Sequence, residues 1–199
     1  MKRSFLNKRL GNVGARAELI EVLAISAAIL AACLVLPIAL YGNTSFLGQN
    51  NQFIAGPVVN CALILAALNF RGVTKNVGVI CMPSALAASI GFIGFMGVYA
   101  MYMIPAIWLG NAVLCFGFKY LHVHKKVNFG IVAVSSITLK AALIFGAFSQ
   151  FVATGIIPAG PAQAMFLHMG LYQLVTATAG CILAFGIIKL FYRRGNRLP

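Results

Sequence analysis

Positive charge along this chain is confined to a few places. All but one of its 15 Lys and Arg residues fall in four clusters: Lys2/Arg3/Lys8/Arg9/Arg16, Arg71/Lys75, Lys119/Lys125/Lys126 and Lys189/Arg193/Arg194/Arg197. The exception, Lys140, lies inside an apolar run. Residues 22–70, 76–118 and, Lys140 aside, 127–188 carry no charged side chain. A helical crossing of a bilayer takes about 20 apolar residues, so each interval between clusters is long enough to cross twice.

This spacing predicts an all-α, polytopic membrane protein, a single transmembrane domain over residues 1–199. Its six helices are expected at about 18–41, 53–70, 77–95, 98–120, 127–153 and 162–192, packed as a compact bundle. Glycines 91, 94 and 97 break the second interval. Gly155, Pro158, Gly160 and Pro161 break the third. Every basic cluster then falls at the N-terminus, the 2–3 connection, the 4–5 connection or the C-terminus. The 1–2 loop (Gly42 to Gln52), the 3–4 turn and the 5–6 loop (Ala153 to Ala162) carry none. Basic residues stay on the cytoplasmic side, so both termini are expected inside the cell.

Composition agrees. The chain is 61% hydrophobic with a mean hydropathy of +0.96, and only 9% of it is charged, against about a quarter in an ordinary soluble domain. The net charge of +13 is spread over short connections and lacks the context of a nucleic-acid module. Topology and anionic lipid headgroups account for it. The run Val22 to Tyr41 has the length of a full span, longer than the apolar core of a cleaved leader, and is expected to be retained. The cysteines (Cys33, Cys61, Cys81, Cys115, Cys181) form no C-x-x-C pair, so they read as buried thiols that pack like small hydrophobes.

Missing residue types narrow the chemistry. The chain has no Asp, and its two acids are Glu18 and Glu21, at the cytoplasmic entry of the first span. Proton relays and ion-coupled carriers place carboxylates at mid-membrane, and metal-assisted enzymes gather carboxylates or histidines. No G-x-x-x-x-G-K-[ST] loop occurs to hold nucleotide phosphates. The expectation is a protein that is not an enzyme, holds no metal or cofactor, and draws any energy from a partner.

Lys140 is the strongest positive signal. A lysine at a helix centre costs on the order of 2.5–3.5 kcal/mol to insert. Helical spacing aligns Ser136, Lys140, Leu143, Ala147, Gln150 and Thr154 on one stripe, four of them polar, which turns this stripe toward the bundle. Its ammonium either meets an anionic ligand group, leans toward the cytoplasm along its own stem, or pairs with Glu21. The fourth span sets Pro105, Trp108 and Asn111/Ala112 on one face. Trp108, the chain's one tryptophan, falls at midspan, suited to stacking on a flat ligand or to core packing. Asn60 and Asn111 are mid-helix amides that require partners and read first as bonds between helices. The sixth span carries His168, Tyr172, Gln173 and Thr176 in its outer half, which either closes a pocket with Gln150 and the 1–2 loop or packs against neighbours. His122 and His124 read as solvated loop. In the first span Ala24, Ala28 and Ala32 recur every four residues, a spacing that lets another helix approach closely.

Taken together, these parts resemble the substrate-binding (S) components of energy-coupling factor (ECF) transporters. The stretches that carry the resemblance are Gly56-Pro57-Val58-Val59-Asn60, Pro105-Ala106-Ile107-Trp108-Leu109-Gly110-Asn111 and Gly170-Leu171-Tyr172-Gln173-Leu174-Val175-Thr176-Ala177. The last is similar to a Q-L-x-T-A segment that precedes a small-residue run, here Thr178-Ala179-Gly180-Cys181. The resemblance implies a multi-pass protein of the bacterial cytoplasmic membrane that captures a vitamin-like micronutrient from outside. A coupling transmembrane subunit and cytoplasmic ATPases, acting in trans, would drive uptake. It implies a ligand in the outer half among the fourth, fifth and sixth spans, with Lys140, Trp108, Asn111, Gln150, His168, Tyr172 and Gln173 as candidate contacts, and Ala24/Ala28/Ala32 as the docking face. The absence of a Met-His N-terminal sequence argues against nickel or cobalt as the solute. The alternatives are a stand-alone solute channel or facilitator and a structural subunit of a membrane complex.

Overall fold

The computed structural model describes residues 52–70, 72–89 and 99–193, together with positions 20, 24, 27–29 and 31; for 82–89, 100 and 191–193 it describes the backbone alone. Every regular element among these is helical. They are α1 (Gln52–Asn69), α2 (Val73–Ser89), α3 (Tyr99–Gly117) continued by a π-helix (Phe118–His124), α4 (Phe129–Ala153), α5 (Ala159–Met169) and α6 (Leu171–Arg193). Four apolar helical segments are long enough to cross a membrane: Gln52–Asn69, Met101–His124, Phe129–Ala153 and Ala159–Leu190. At about 1.5 Å per residue, the 25 residues of α4 outreach a hydrocarbon core of about 30 Å. The architecture is that of a multi-pass helical membrane protein. The 1–2 loop before Gln52, the 3–4 turn and most of the first span lie outside the described residues.

The helix ends are set by local chemistry. Asn128 caps α4, its side-chain oxygen accepting from the Gly130 N–H at 2.8 Å, which satisfies one of the four unpaired donors of a helix start. At the end of α1, Lys119 donates from Nζ to the Phe70 carbonyl, and Asn69 donates to the Leu65 carbonyl at 2.8 Å. A cationic side chain at a helix C-terminus meets both the free carbonyls and the negative end of the helix dipole. The 4–5 connection is shorter than a loop reading of His122 and His124 implies. The π-helix carries the expected fourth span to His124, and the half-buried His122 places Nδ1 2.8 Å from the Val127 carbonyl and its ring edge-on to Phe129 at 5.5 Å. Packing against Phe118 and Phe129 takes this histidine partly out of solvent, while His124 stays exposed.

The segment expected as the sixth span is two helices. α5 ends at Met169, Gly170 departs from helical geometry (φ −105°, ψ −101°), and α6 begins at Leu171. A Cβ at Gly170 would lie 3.2 Å from the Phe145 ring, so the break sits against α4. The connection between α4 and α5 is a tight turn. Gly155 adopts φ +75°, a conformation glycine takes without steric cost. Ile157 folds back to donate its N–H to the Phe151 carbonyl at 3.1 Å and is buried.

The interior has two apolar clusters. The larger joins Leu63, Ile64, Leu114, Phe118, Val132, Ile137 and Ala184, and Ile29 of the first span packs into it. The smaller joins Met103, Ile144, Phe148, Ile157, Met165 and Met169. α1 packs most extensively on α6, and α3 on α4. Gly180 permits the first pairing, since a Cβ there would stand 2.5 Å from Asn60 Cβ and 2.9 Å from the Pro57 carbonyl. Outward faces are apolar as well, with Ile131, Val134 and Leu139 on α4 and Leu174, Ile182, Leu183, Phe185 and Leu190 on α6 all exposed, as lipid contact requires.

Candidate functional site

Lys140 lies midway along α4, between Ile137 of the larger cluster and Ile144 of the smaller. It is 2% exposed. Its stem does not carry the ammonium out to water. Nζ donates to Asn60 Oδ1 on α1, and to Asn111 Oδ1 on α3 at 2.7 Å. Asn60 and Asn111 are themselves buried. Three helices therefore meet on one lysine, in a polar node that separates the two apolar clusters along α3 and α4. Cys181 of α6, also buried, lies within electrostatic reach of the ammonium. Glu21, the alternative partner, falls outside the described residues.

The node is built to close tolerances. Asn60 donates from Nδ2 to the Gly56 carbonyl at 2.8 Å, which fixes its amide plane and commits Oδ1 to the lysine. Gly110, next to Asn111, brings α3 against α4. A Cβ there would lie 2.9 Å from the Ile144 side chain and 3.2 Å from Lys140 Cγ. Small residues at such crossings let backbones approach and polar side chains bond across helices. Trp108 is one turn away from Asn111 on α3, half-buried against the larger cluster.

A second polar group forms where α5 gives way to α6. At the break, two glutamines serve the His168 carbonyl. Gln52 of α1 and Gln173 of α6 each donate from Nε2 at 3.1 Å. Gln52 Oε1 is buried with no hydrogen-bond partner among the described residues. His168 is buried, with Nδ1 3.1 Å from the Ala164 carbonyl and its ring edge-on to Tyr172 at 5.1 Å. The two groups are joined by a run of contacts. Asn60 bonds Gly56, a Cβ at Gly56 would stand 2.6 Å from Thr176 Cβ, and Thr176 donates to the Tyr172 carbonyl at 2.7 Å.

Seven residues stood out in the sequence as candidate contacts. Lys140 and Asn111 meet directly, Trp108 flanks them, and His168, Tyr172 and Gln173 gather at the α5–α6 break. Gln150 is exposed, as is Thr154 beyond it, so the α4 stripe leaves the interior at that end. Ser136 and Lys140 are its buried members. Asn60 was legible as a mid-helix amide but not as an acceptor for Lys140, and Gln52 gave no signal beyond its polarity. Of the proposed docking alanines, Ala24 and Ala28 are helical and exposed, and Ala32 lies outside the described residues.

No family model, curated protein or solved structure matches this chain.

Proposed function

We propose that this chain is the solute-capture subunit of an ECF-type transporter. In this reading it binds a vitamin-like small molecule from the outer face, and a coupling membrane subunit with cytoplasmic ATPases supplies the energy. The observation that carries the reading is the buried node of Lys140, Asn60 and Asn111. A charged side chain inside a membrane bundle is expensive and marks a functional site by default. Here it is the only charged residue between Val127 and Ile188, and three helices converge on it.

Other features fit the same role. The sequence holds no phosphate-binding loop and no mid-membrane acid, so the chain has groups suited to holding a solute and none suited to driving it. A second cluster of polar side chains, His168, Tyr172, Gln173 and Gln52, lies where the start of α1 meets the α5–α6 break, on the side that the basic clusters assign to the exterior. With six spans and both termini inside, α4 runs outward and Lys140 sits at its middle. Ala24 and Ala28 offer a small-residue face on a helix anchored by Ile29, which suits docking of a partner helix.

A structural-subunit reading draws on one of these observations, since the two amide oxygens give Lys140 internal partners. Purification of the tagged chain from its native membrane in mild detergent separates the two. The capture reading requires a coupling membrane protein and ATPase subunits in the eluate, and ATP-dependent solute uptake when the set is reconstituted. A stable complex without any ATPase would refute it.

A further inference from the structure

Taking the capture reading as given, we infer that the solute carries a single carboxylate, and that Lys140 and Asn111 receive it. The inference follows from which hydrogen-bonding groups the node has left over. An ammonium has three N–H donors, and Lys140 uses two, on Asn60 Oδ1 and Asn111 Oδ1. Asn111 spends its oxygen on the lysine, and its Nδ2 carries N–H donors that the lysine cannot use. Asn60 has one N–H committed to the Gly56 carbonyl and its oxygen to Lys140. The capacity that remains is donor capacity: one N–H of Lys140 and the amide N–H groups of Asn111, on adjacent helices. A carboxylate is acceptor-only and takes two such donors on its two oxygens.

Charge gives the same answer. The sequence has no Asp or Glu beyond Glu21, so nothing in α1 to α6 can neutralise the ammonium. Several kcal/mol of desolvation weigh on an uncompensated buried ion. A ligand of charge −1 makes the node neutral. A phosphate monoester, at about −1.5 to −2, would leave an excess negative charge in an apolar bundle. A cationic ligand would double the charge there. Asn60, with its amide locked on Gly56, holds the lysine in place. Asn111 is the member free to turn its amide toward the ligand.

The probes are the solutes retained by the full chain in mild detergent, identified by mass spectrometry, and a panel of small monocarboxylic acids, each paired with its primary amide and scored by thermal shift. Two variants accompany the wild type. Lys140→Met removes the cation. Asn111→Asp leaves shape almost unchanged and supplies the missing negative charge from within, so it folds with an internal ion pair and competes with the solute. The expected result is that the wild type retains an acid and is stabilised by acids over their amides. Both variants lose that response, with binding about tenfold weaker or more. Retention of a neutral or cationic solute, or undiminished acid binding by Asn111→Asp, overturns the carboxylate inference and leaves the capture reading standing. A wild type that retains nothing and answers to no member of the panel overturns both.

Discussion

Replacing Asn60 with Ala tests whether the node is one coupled unit. Asn60 is 2% exposed and supplies one of the two oxygens that receive the Lys140 ammonium. Its removal leaves Asn111 as the sole acceptor among the described residues for a buried cation. A hydrogen bond to a charged group contributes about 1.5–3 kcal/mol, so Asn60→Ala is expected to destabilise the protein by roughly that amount. At about 2–4 °C per kcal/mol for a chain of this size, the midpoint falls by about 3–12 °C. The same substitution made on a Lys140→Met background removes an oxygen that has already lost its donor. The cost there drops below about 1 kcal/mol, because an orphaned buried acceptor is itself unfavourable. The difference is a coupling energy of about 0.5–3 kcal/mol, within the range of residues in direct contact. Thermal unfolding in detergent reads it, followed by the fluorescence of Trp108, the chain's one tryptophan, three residues before Asn111. Losses that add to within about 0.5 kcal/mol would refute the node as drawn.

Further outcomes follow from the packing. Gly180→Ala forces a Cβ against Asn60 Cβ and the Pro57 carbonyl and costs about 1–3 kcal/mol. Gly146→Ala, with nothing within 4 Å of the added methyl, is neutral or stabilising by up to about 1 kcal/mol; both are read as shifts in midpoint. Cys61, Cys115 and Cys181, all buried, stay unmodified by a water-soluble maleimide in the folded protein and react on unfolding, as intact mass will show. Gln173→Ala removes one of the hydrogen bonds to the His168 carbonyl and costs about 0.5–1.5 kcal/mol. Cysteines placed at Lys125 and Thr154, both exposed, label from opposite sides of the membrane, with Lys125 on the cytoplasmic side.

Lys140 was visible from the sequence because a lone charge in an apolar run has a calculable insertion cost, and the polar stripe around it fixed which way α4 faces. Its partners were not visible. Whether Asn60 and Asn111 reach the ammonium depends on the register of α1 and α3 against α4, set by Gly110 and Gly180, where no polar pattern exists to read. The stripe misled at its far end. A 4-3 spacing drifts by about 20° per heptad on a straight helix, and by Gln150 the face has turned to the surface. The break at Gly170 and the π-helix at Phe118–His124 left no compositional mark, since both change the backbone's hydrogen-bond pattern without changing hydropathy.

Equilibrium binding by the purified chain alone is the most direct test of the capture reading. The solute recovered from the wild type is stripped by dialysis and added back in the absence of ATP and of any partner. The expected result is saturable, one-to-one binding that Lys140→Met weakens by about tenfold or more. Binding that appears only when an ATPase complex is present, or that Lys140→Met leaves unchanged, would contradict it.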